Sequence, residues 1–399
     1  MSTSLPPALN IIALATFAAS LASRVLDPVL PHVAADFSVS IATAAGFAAV
    51  FAFTYAIVQP ALGAAADLFG KARLMVICLG LLGLANILGA LSTSFPFLFA
   101  TRILAGIGAG GVFPAALSLT SDLVGPDKRQ IAIGRTLASA MIATLLGASA
   151  SGLIGDFLGW RGVLALIGAL VMLAAVAVAI RFRGVAFAPR PNEAGISALR
   201  RGYRAIFGNP NARICFAAVF IEGCCVLGLF PFIASFLFDL GQTSLSIAGI
   251  VIAGFAVGAL FYTVTVSHFL RWLGVRGMMI AGASLVGLQL VVIAFGPDWK
   301  IQAVCLLLMG WSFYMIHGCL QVFASELSVE ARGSALALHA FFLFMGQAVG
   351  PLGYGVGIQH LGKVPTLLIA AAVMVALGMA CALLLRERRA ADSGSTGSM

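Results

Sequence analysis

The chain has 399 residues, of which 61% are hydrophobic and only 9% charged, with a mean hydropathy of +1.08. A soluble domain carries about 25% charged residues, so this composition excludes a soluble enzyme, a disordered protein and a nucleic-acid binder. A polytopic membrane protein remains, and its formal charge of +9 is to be sought in the loops between spans.

A bilayer-crossing helix needs about 17–25 largely apolar residues. Twelve such segments are predicted, at 9–31, 42–66, 74–94, 97–120, 131–154, 162–180, 213–238, 246–270, 278–296, 300–323, 333–357 and 364–385. A β-barrel is excluded, because barrel strands are short and alternate polar with apolar. The first run has no Lys or Arg before it and ends in Asp27-Pro28 and Pro31-His32. It reads as a retained helix rather than a cleaved signal peptide.

Span one carries Arg24 and Asp27, three apart on one helix face. Between spans two and three lie Gly63, Asp67, Gly70, Lys71 and Arg73. Gly63 allows close helix approach, and Asp67 at the membrane boundary can bond a helix N-terminus or a cation. Span four opens on Arg102 ahead of Gly106, Gly108, Gly110 and Gly111. An arginine there costs roughly 2.5–3.5 kcal/mol on insertion scales, so it must face a cavity or a partner. Span five holds Gly147, Ala148, Ser151 and Gly152, and span eleven Gly346, Gly350, Pro351 and Gly353.

The longest polar interruption, 181–212, is rich in arginine, with Ile196, Leu199, Tyr203, Ile206 and Phe207 at helical spacing. It predicts a basic linker with a short amphipathic helix on the membrane face. The organisation expected is a six-helix bundle over 1–180, the linker, a second six-helix bundle over 213–389 and a disordered tail at 390–399. Eighteen Lys and Arg fall on the side of the termini, in loops or, for Arg386, Arg388 and Arg389, at the C-terminus, against Arg161, Lys300 and Lys363 on the other. That bias puts both termini in the cytoplasm, for a plasma or bacterial inner membrane protein.

The halves repeat at an offset of about 200–206 residues: Ser121-Asp122-Leu123 returns as Ser325-Glu326-Leu327, Gly70 as Gly274, Gly106 as Gly310, Gly147 as Gly350 and Leu158-Gly159 as Leu361-Gly362. Two bundles in parallel repeat are an architecture of rocking-bundle transporters.

The loop from Gly63 to Arg73 resembles the signature loop of the major facilitator superfamily, with Leu68 where a basic residue is usual. Arg102 and its glycines resemble the superfamily's fourth-helix motif. Gly147 and Gly152 partly match the fifth-helix antiporter motif, whose fuller form is Gly350-Pro351 in span eleven. The chain as a whole resembles the twelve-helix drug/proton antiporters and related sugar- and metabolite-efflux permeases. The resemblance implies an all-α membrane fold of twelve helices, conformational gating at Gly63, Asp67, Gly70, Lys71 and Arg73, and proton transfer at Arg102 through a neighbouring carboxylate. It implies a cavity lined by spans one, two, four, five, seven, eight, ten and eleven. Those spans supply Tyr55, Gln59, Phe113, Phe230, Tyr262, Trp311, Tyr314, His317, Gln321 and Gln347, which suit an amphipathic organic solute.

Proton coupling is placed on Glu222, Asp27, Arg24 and Arg102, with Glu222 the better reversible carrier because no cation adjoins it in sequence. His317 and His339 are alternative relays. The expected activity is proton-coupled efflux of a small organic solute by a monomer in the lipid bilayer, with no cofactor, no metal and no nucleic acid. Uptake of a small, possibly anionic, metabolite is the alternative. Cys215, Cys224, Cys225 and Cys319 raise a thiophilic metalloid, and a transport-dead receptor is the reading from another class. An enzyme is excluded, as no metal-ligand cluster, nucleophile triad or phosphate loop survives the span assignment.

Overall fold

The computed structural model describes residues 6–183, 195–296, 298–328 and 331–385; the expected tail at 390–399 lies outside them. Every regular element among the described residues is helical.

Span one is not continuous. Helix α1 (Ala8–Leu21) passes into a 3-10 turn at Ala22–Arg24 and resumes as α2 (Leu30–Asp36). Pro28 and Pro31 are the cause: neither has an N–H, and Pro31 is tolerated only in the first turn of a new helix. A short turn, α3 (Ile41–Ala44), is capped by Ser40, whose Oγ accepts from the Thr43 N–H at 3.1 Å. Three long helices follow, α4 (Gly46–Phe69), α5 (Lys71–Ala90) and α6 (Phe95–Leu123). Helix α7 (Pro126–Arg181) runs through the fifth and sixth predicted spans, and α8 (Gly195–Gly208) lies in the linker. Span seven breaks like span one, into α9 (Pro210–Cys225), a 3-10 turn at Leu227–Leu229 and α10 (Phe230–Asp239), with Pro231 in the first turn of α10. The chain ends in α11 (Leu245–Phe295), α12 (Trp299–Glu326), α13 (Arg332–Leu361) and α14 (Lys363–Leu384).

The 51 residues of α11 would be about 75 Å long if straight, against a hydrocarbon core of about 30 Å. Both α11 and α7 instead break at a single glycine, Gly274 (φ 65°, ψ 176°) and Gly159 (φ 66°, ψ 177°). Val163 then lies beside Gly155, eight residues earlier, so α7 turns back on itself. Nine helices among the described residues are long and apolar enough to cross a membrane, and two of them carry these breaks. With the shorter helix Ala8–Arg24 the arrangement is consistent with twelve crossings.

Backbone torsions display the repeat more sharply than the residue matches do. The described positions with left-handed φ are Ser38, Gly70, Gly159, Gly241, Gly274 and Gly362. They pair as Ser38 with Gly241, Gly70 with Gly274 and Gly159 with Gly362, each 203 or 204 residues apart. The same three turns are made once in each bundle.

The bundles meet along α7 against α11 and α4 against α13, and the contact runs from one end of the molecule to about mid-helix. A Cβ on Gly152 would meet the Gly249 Cα at 3.1 Å, and one on Gly249 would meet the Ser149 Cα at 3.1 Å, so these two backbones touch. Gly355 lies on Ala42, and the His32 ring meets Phe238 edge-on at 5.9 Å. At the other end, on the side of the described termini, Ile131, Arg135 and Ala138 of α7 and Phe261, Thr263 and Ser267 of α11 are exposed. The molecule is therefore closed at one end and open at the other. Helix α8 attaches to the second bundle: Ile206 is buried with Ala212, Phe216, Leu327 and Ala335, while Arg201, Arg204 and Phe207 face out. The apolar stripe expected to lie on lipid is thus split, Ile206 inward and Phe207 outward.

Candidate functional site

The two broken spans face each other across the bundle interface. Arg24 ends the first 3-10 turn, and its Nη1 donates to the Asp27 carboxylate at 3.2 Å. The pair is joined by a backbone turn (Asp27 N–H to Arg24 C=O, 3.2 Å) and not by one helix face as expected. Its guanidinium carbon stands 4.1 Å from the ring centre of Phe230, in the first turn of α10 in the other bundle.

Breaking a helix frees carbonyls, and each break has a hydroxyl to satisfy one. The Ser151 hydroxyl of α7 donates to the Val25 carbonyl, and the Tyr354 hydroxyl of α13 donates to the Cys225 carbonyl at 2.6 Å. Ser151 and Tyr354 are 203 residues apart, so the two bundles repair equivalent breaks with equivalent positions. This gives physical content to the span-five and span-eleven glycines. A Cβ on Gly147 would meet the Leu21 Cα at 3.3 Å, and one on Gly350 the Gly228 Cα at 2.7 Å. The glycines let these helices lie against the broken segments.

Deeper in the second bundle, Glu222 of α9 is fully buried and its Oε1 contacts Nδ1 of His317 on α12. The His317 ring packs flat on Phe313 (5.0 Å, 15°) and lies 4.9 Å from the ring of His339 on α13. Glu222 Oε2 and His339 Nε2 have no hydrogen-bond partner among the described residues. A carboxylate, two imidazoles and two unpaired polar atoms thus lie together in an apolar bundle, and these are side chains whose chemistry is proton exchange. Sequence placed Glu222 alone; its separation of 95 positions from His317 hid the pair. Rings connect this cluster to Arg24: Phe230 meets Phe255 at 5.0 Å, Phe255 meets Phe313 at 5.5 Å, and Tyr314 meets His317 at 5.6 Å.

The other expected residues separate. Tyr55 reaches the second bundle, 4.5 Å from the ring of Phe344, and Gln59 is half-buried one turn further along α4. Tyr262 packs on Tyr314 at 6.1 Å, and Gln347 is half-buried beside Gly223. Trp311 instead donates to Thr265 at 2.9 Å and packs on Phe261 and Phe269 along the seam of α11 and α12. Phe113 is half-buried and Gln321 exposed, neither drawn into the ring cluster. Among the described residues, no group of three or more His, Cys, Asp or Glu is placed to hold a metal ion.

Arg102 has a different partner from the expected carboxylate. It is buried, and its Nη2 donates to Asn86 Oδ1 on α5 at 3.1 Å, while Asn86 Nδ2 donates to the Leu82 carbonyl at 2.8 Å. No carboxylate among the described residues pairs with it. The guanidinium points into the seam between α5 and α6, where Gly89 leaves it room. Asn86→Leu should strip a charged donor of its acceptor and cost about 1.5–3 kcal/mol. A lowered unfolding temperature of the purified protein in detergent would show it; an unchanged one would contradict this account of Arg102.

The loop after α4 turns on Gly70 (φ 90°), and Lys71 at the start of α5 donates to Asp122 at the end of α6 at 2.6 Å. Arg73 is exposed. The surroundings of Gly63 and of the Asp67 side chain lie outside the described residues.

At the closed end Asp156 of α7 sits on the N-terminus of α11. Its carboxylate accepts from the Leu245 and Ser246 N–H groups, each at 2.8 Å, and from the Ser244 hydroxyl at 3.0 Å. A negative group is favoured there by the unpaired N–H groups of a helix start. This latch joins one bundle to the other. Asp156→Ala should loosen it, raising the labelling rate of a cysteine placed at Ala42 by at least about fivefold. Equal labelling would contradict the latch. Nearby, Asp36 accepts from Trp160 Nε1 at 2.8 Å and Arg161 at 2.6 Å, and these bonds hold its carboxyl below the ordinary carboxylate range. A lowered folded value means that the link is intact above the ordinary value and is lost only as pH falls through the lowered one. Between roughly pH 5 and 8 it stays ionised, so it contributes no pH dependence in that window. A recess of about 340 Å³ lined by His32, Asp36, Trp160 and Arg161 lies at this closed end, remote from the Glu222 cluster.

Residues 12–274 match the family model of the Major Facilitator Superfamily. The chain is similar to Multidrug resistance protein 1 of Bacillus subtilis (26% identity, covering 86% of this chain and 88% of the relative). It is also similar to the Quinolone resistance protein NorA of Staphylococcus aureus (23%, covering 82% and 83%). Among solved structures it resembles the nucleoside transporter NupG, with a TM-score of 0.76 at 16% identity over 94% of this chain and 98% of that one. It also resembles an inward-facing, unoccupied bacterial homolog of the human lysosomal transporter Spinster, with a TM-score of 0.73 at 18% identity over 94% of each chain.

Proposed function

The chain belongs to the major facilitator superfamily and is a multi-pass membrane transporter, not an enzyme; we propose that it is a proton-coupled efflux antiporter for small amphipathic organic solutes. The observation that carries this reading is the buried contact of Glu222 with His317, one proton-binding cluster linked by aromatic rings to the bundle interface. The names of the relatives, which speak of resistance to drugs, favour export.

The moving bodies are the bundles at 1–180 and 213–389, joined by the linker at 181–212. With both termini in the cytoplasm of a bacterial inner membrane, as the loop charges favour, the open end faces inward. Solute enters there, and the bundles rock until the Gly152–Gly249 contact and the Asp156 latch part and the inner ends close. A proton taken from outside by the Glu222–His317–His339 cluster travels back in the reverse stroke. The two ligands exchange because each favours a different state of one two-state element. A single monomer suffices for this cycle.

The test is transport in proteoliposomes energised by a pH gradient alone, with an uncharged amphipathic aromatic dye such as Nile red as reporter. Dye movement against its gradient, collapsed by a protonophore, is expected. Dye movement unaffected by the pH gradient would overturn the coupling.

A further inference from the structure

The breaks of spans one and seven hold the same place in the repeat and differ in chemistry. At an offset of 203 residues, Arg24 corresponds to Leu227, Asp27 to Phe230 and Pro28 to Pro231. One wall is thus ionic and the other apolar and aromatic, and in the closed-ended state they touch: the guanidinium carbon stands 4.1 Å from the centre of the Phe230 ring. Behind Phe230 stand Phe255, Phe313 and Tyr314.

The Arg24–Asp27 bond is loose for an ion pair. At 3.2 Å it exceeds the roughly 2.7–2.9 Å of a good charge-assisted bond, and only Nη1 takes part. Arginine offers five donors in a planar fork, and this side chain keeps 13% of its surface open. It already stands over an aromatic ring and has donors to spare. A planar solute with a carboxylate matches both, the fork taking the carboxylate and the ring taking the place of Phe230. An organic cation fits poorly, because Asp27 is already countered by Arg24 and a second cation would meet a like charge.

We infer that Arg24 is a specificity residue and that the preferred solutes are aromatic carboxylates. The inference rests on the transporter reading above in that the interface opens to solute only as the bundles move.

The probes are three molecules with one ring system: 2-naphthoic acid, 2-naphthamide and 2-(aminomethyl)naphthalene. Their binding to the purified protein in detergent is measured by calorimetry, for the wild type, Arg24→Gln and Arg24→Lys. The acid should bind at least about tenfold tighter than the amide or the amine. Arg24→Gln should bring the acid to the level of the amide, and Arg24→Lys should keep part of the gap, having charge without the fork. Unfolding temperatures of the variants check that they are folded. An amide or amine that binds as tightly as the acid overturns the inference, as does a gap that persists in Arg24→Gln or the absence of binding by all three. Tight amine binding together with proton-driven dye transport would sink the inference and leave the antiporter reading standing. Acid-selective binding without any transport would do the reverse.

Discussion

Glu222→Gln is expected to abolish gradient-driven accumulation while leaving downhill exchange nearly intact. The amide has the shape of the carboxylic acid and can still bond His317, so the bundle keeps its packing. What it cannot do is release a proton. One pH unit across the membrane supports about tenfold accumulation per exchanged proton; in the variant the ratio should fall to about one, while solute counterflow without a gradient stays within about threefold. Glu222→Ala is the harsher change, since it leaves a cavity beside an imidazole that has lost its partner. Loss of counterflow in Glu222→Gln together with retained folding would mean that Glu222 serves substrate binding and not coupling.

Gly249→Val should lock the molecule away from the state described here. Its new Cβ would meet the backbone of Ala148 and Ser149 across the bundle interface. Overpacking of this kind costs about 1–3 kcal/mol, a shift of about 5- to 150-fold in a two-state population. The bundles escape the clash by staying apart at this end, so folding should survive and solute loading from the inner side should stall. Gly310→Val is the control, because its Cβ would meet the Phe255 carbonyl carbon at 2.6 Å within one bundle, where no rocking relieves it. That variant should lose unfolding temperature instead. Labelling of a cysteine at Ala42 separates the two: fast labelling at near-normal stability for Gly249→Val, lowered stability for Gly310→Val. If both variants merely destabilise, the interface is structural and not a gate.

Much of the fold was legible because lipid leaves few choices: apolar runs of span length must be helices. Gly70, Gly159, Gly274 and Gly362 were readable as repeat matches, and the torsions supply their reason, a left-handed turn at each. The breaks in spans one and seven were signposted by Pro28, Pro31 and Pro231, yet hydropathy runs straight across them. The pairings were not legible. Glu222 and His317 lie on different helices, and nothing in either stretch names the other. Arg102 was read toward a carboxylate because the fourth-helix motif that it resembles implies one, whereas its acceptor is Asn86, an inconspicuous residue in an apolar run. Asp156 was missed for a similar reason, since its partners are mostly backbone N–H groups at a helix start, and any sequence can supply those.

Proton movement itself is the most direct test of coupled exchange through the Glu222 cluster. In proteoliposomes without any imposed pH gradient, addition of a transported solute to one side should drive protons toward that side, recorded by a pH-sensitive dye. The wild type should show this flux, and Glu222→Gln should exchange solute with none. Solute-driven proton flux persisting undiminished in Glu222→Gln would contradict the account.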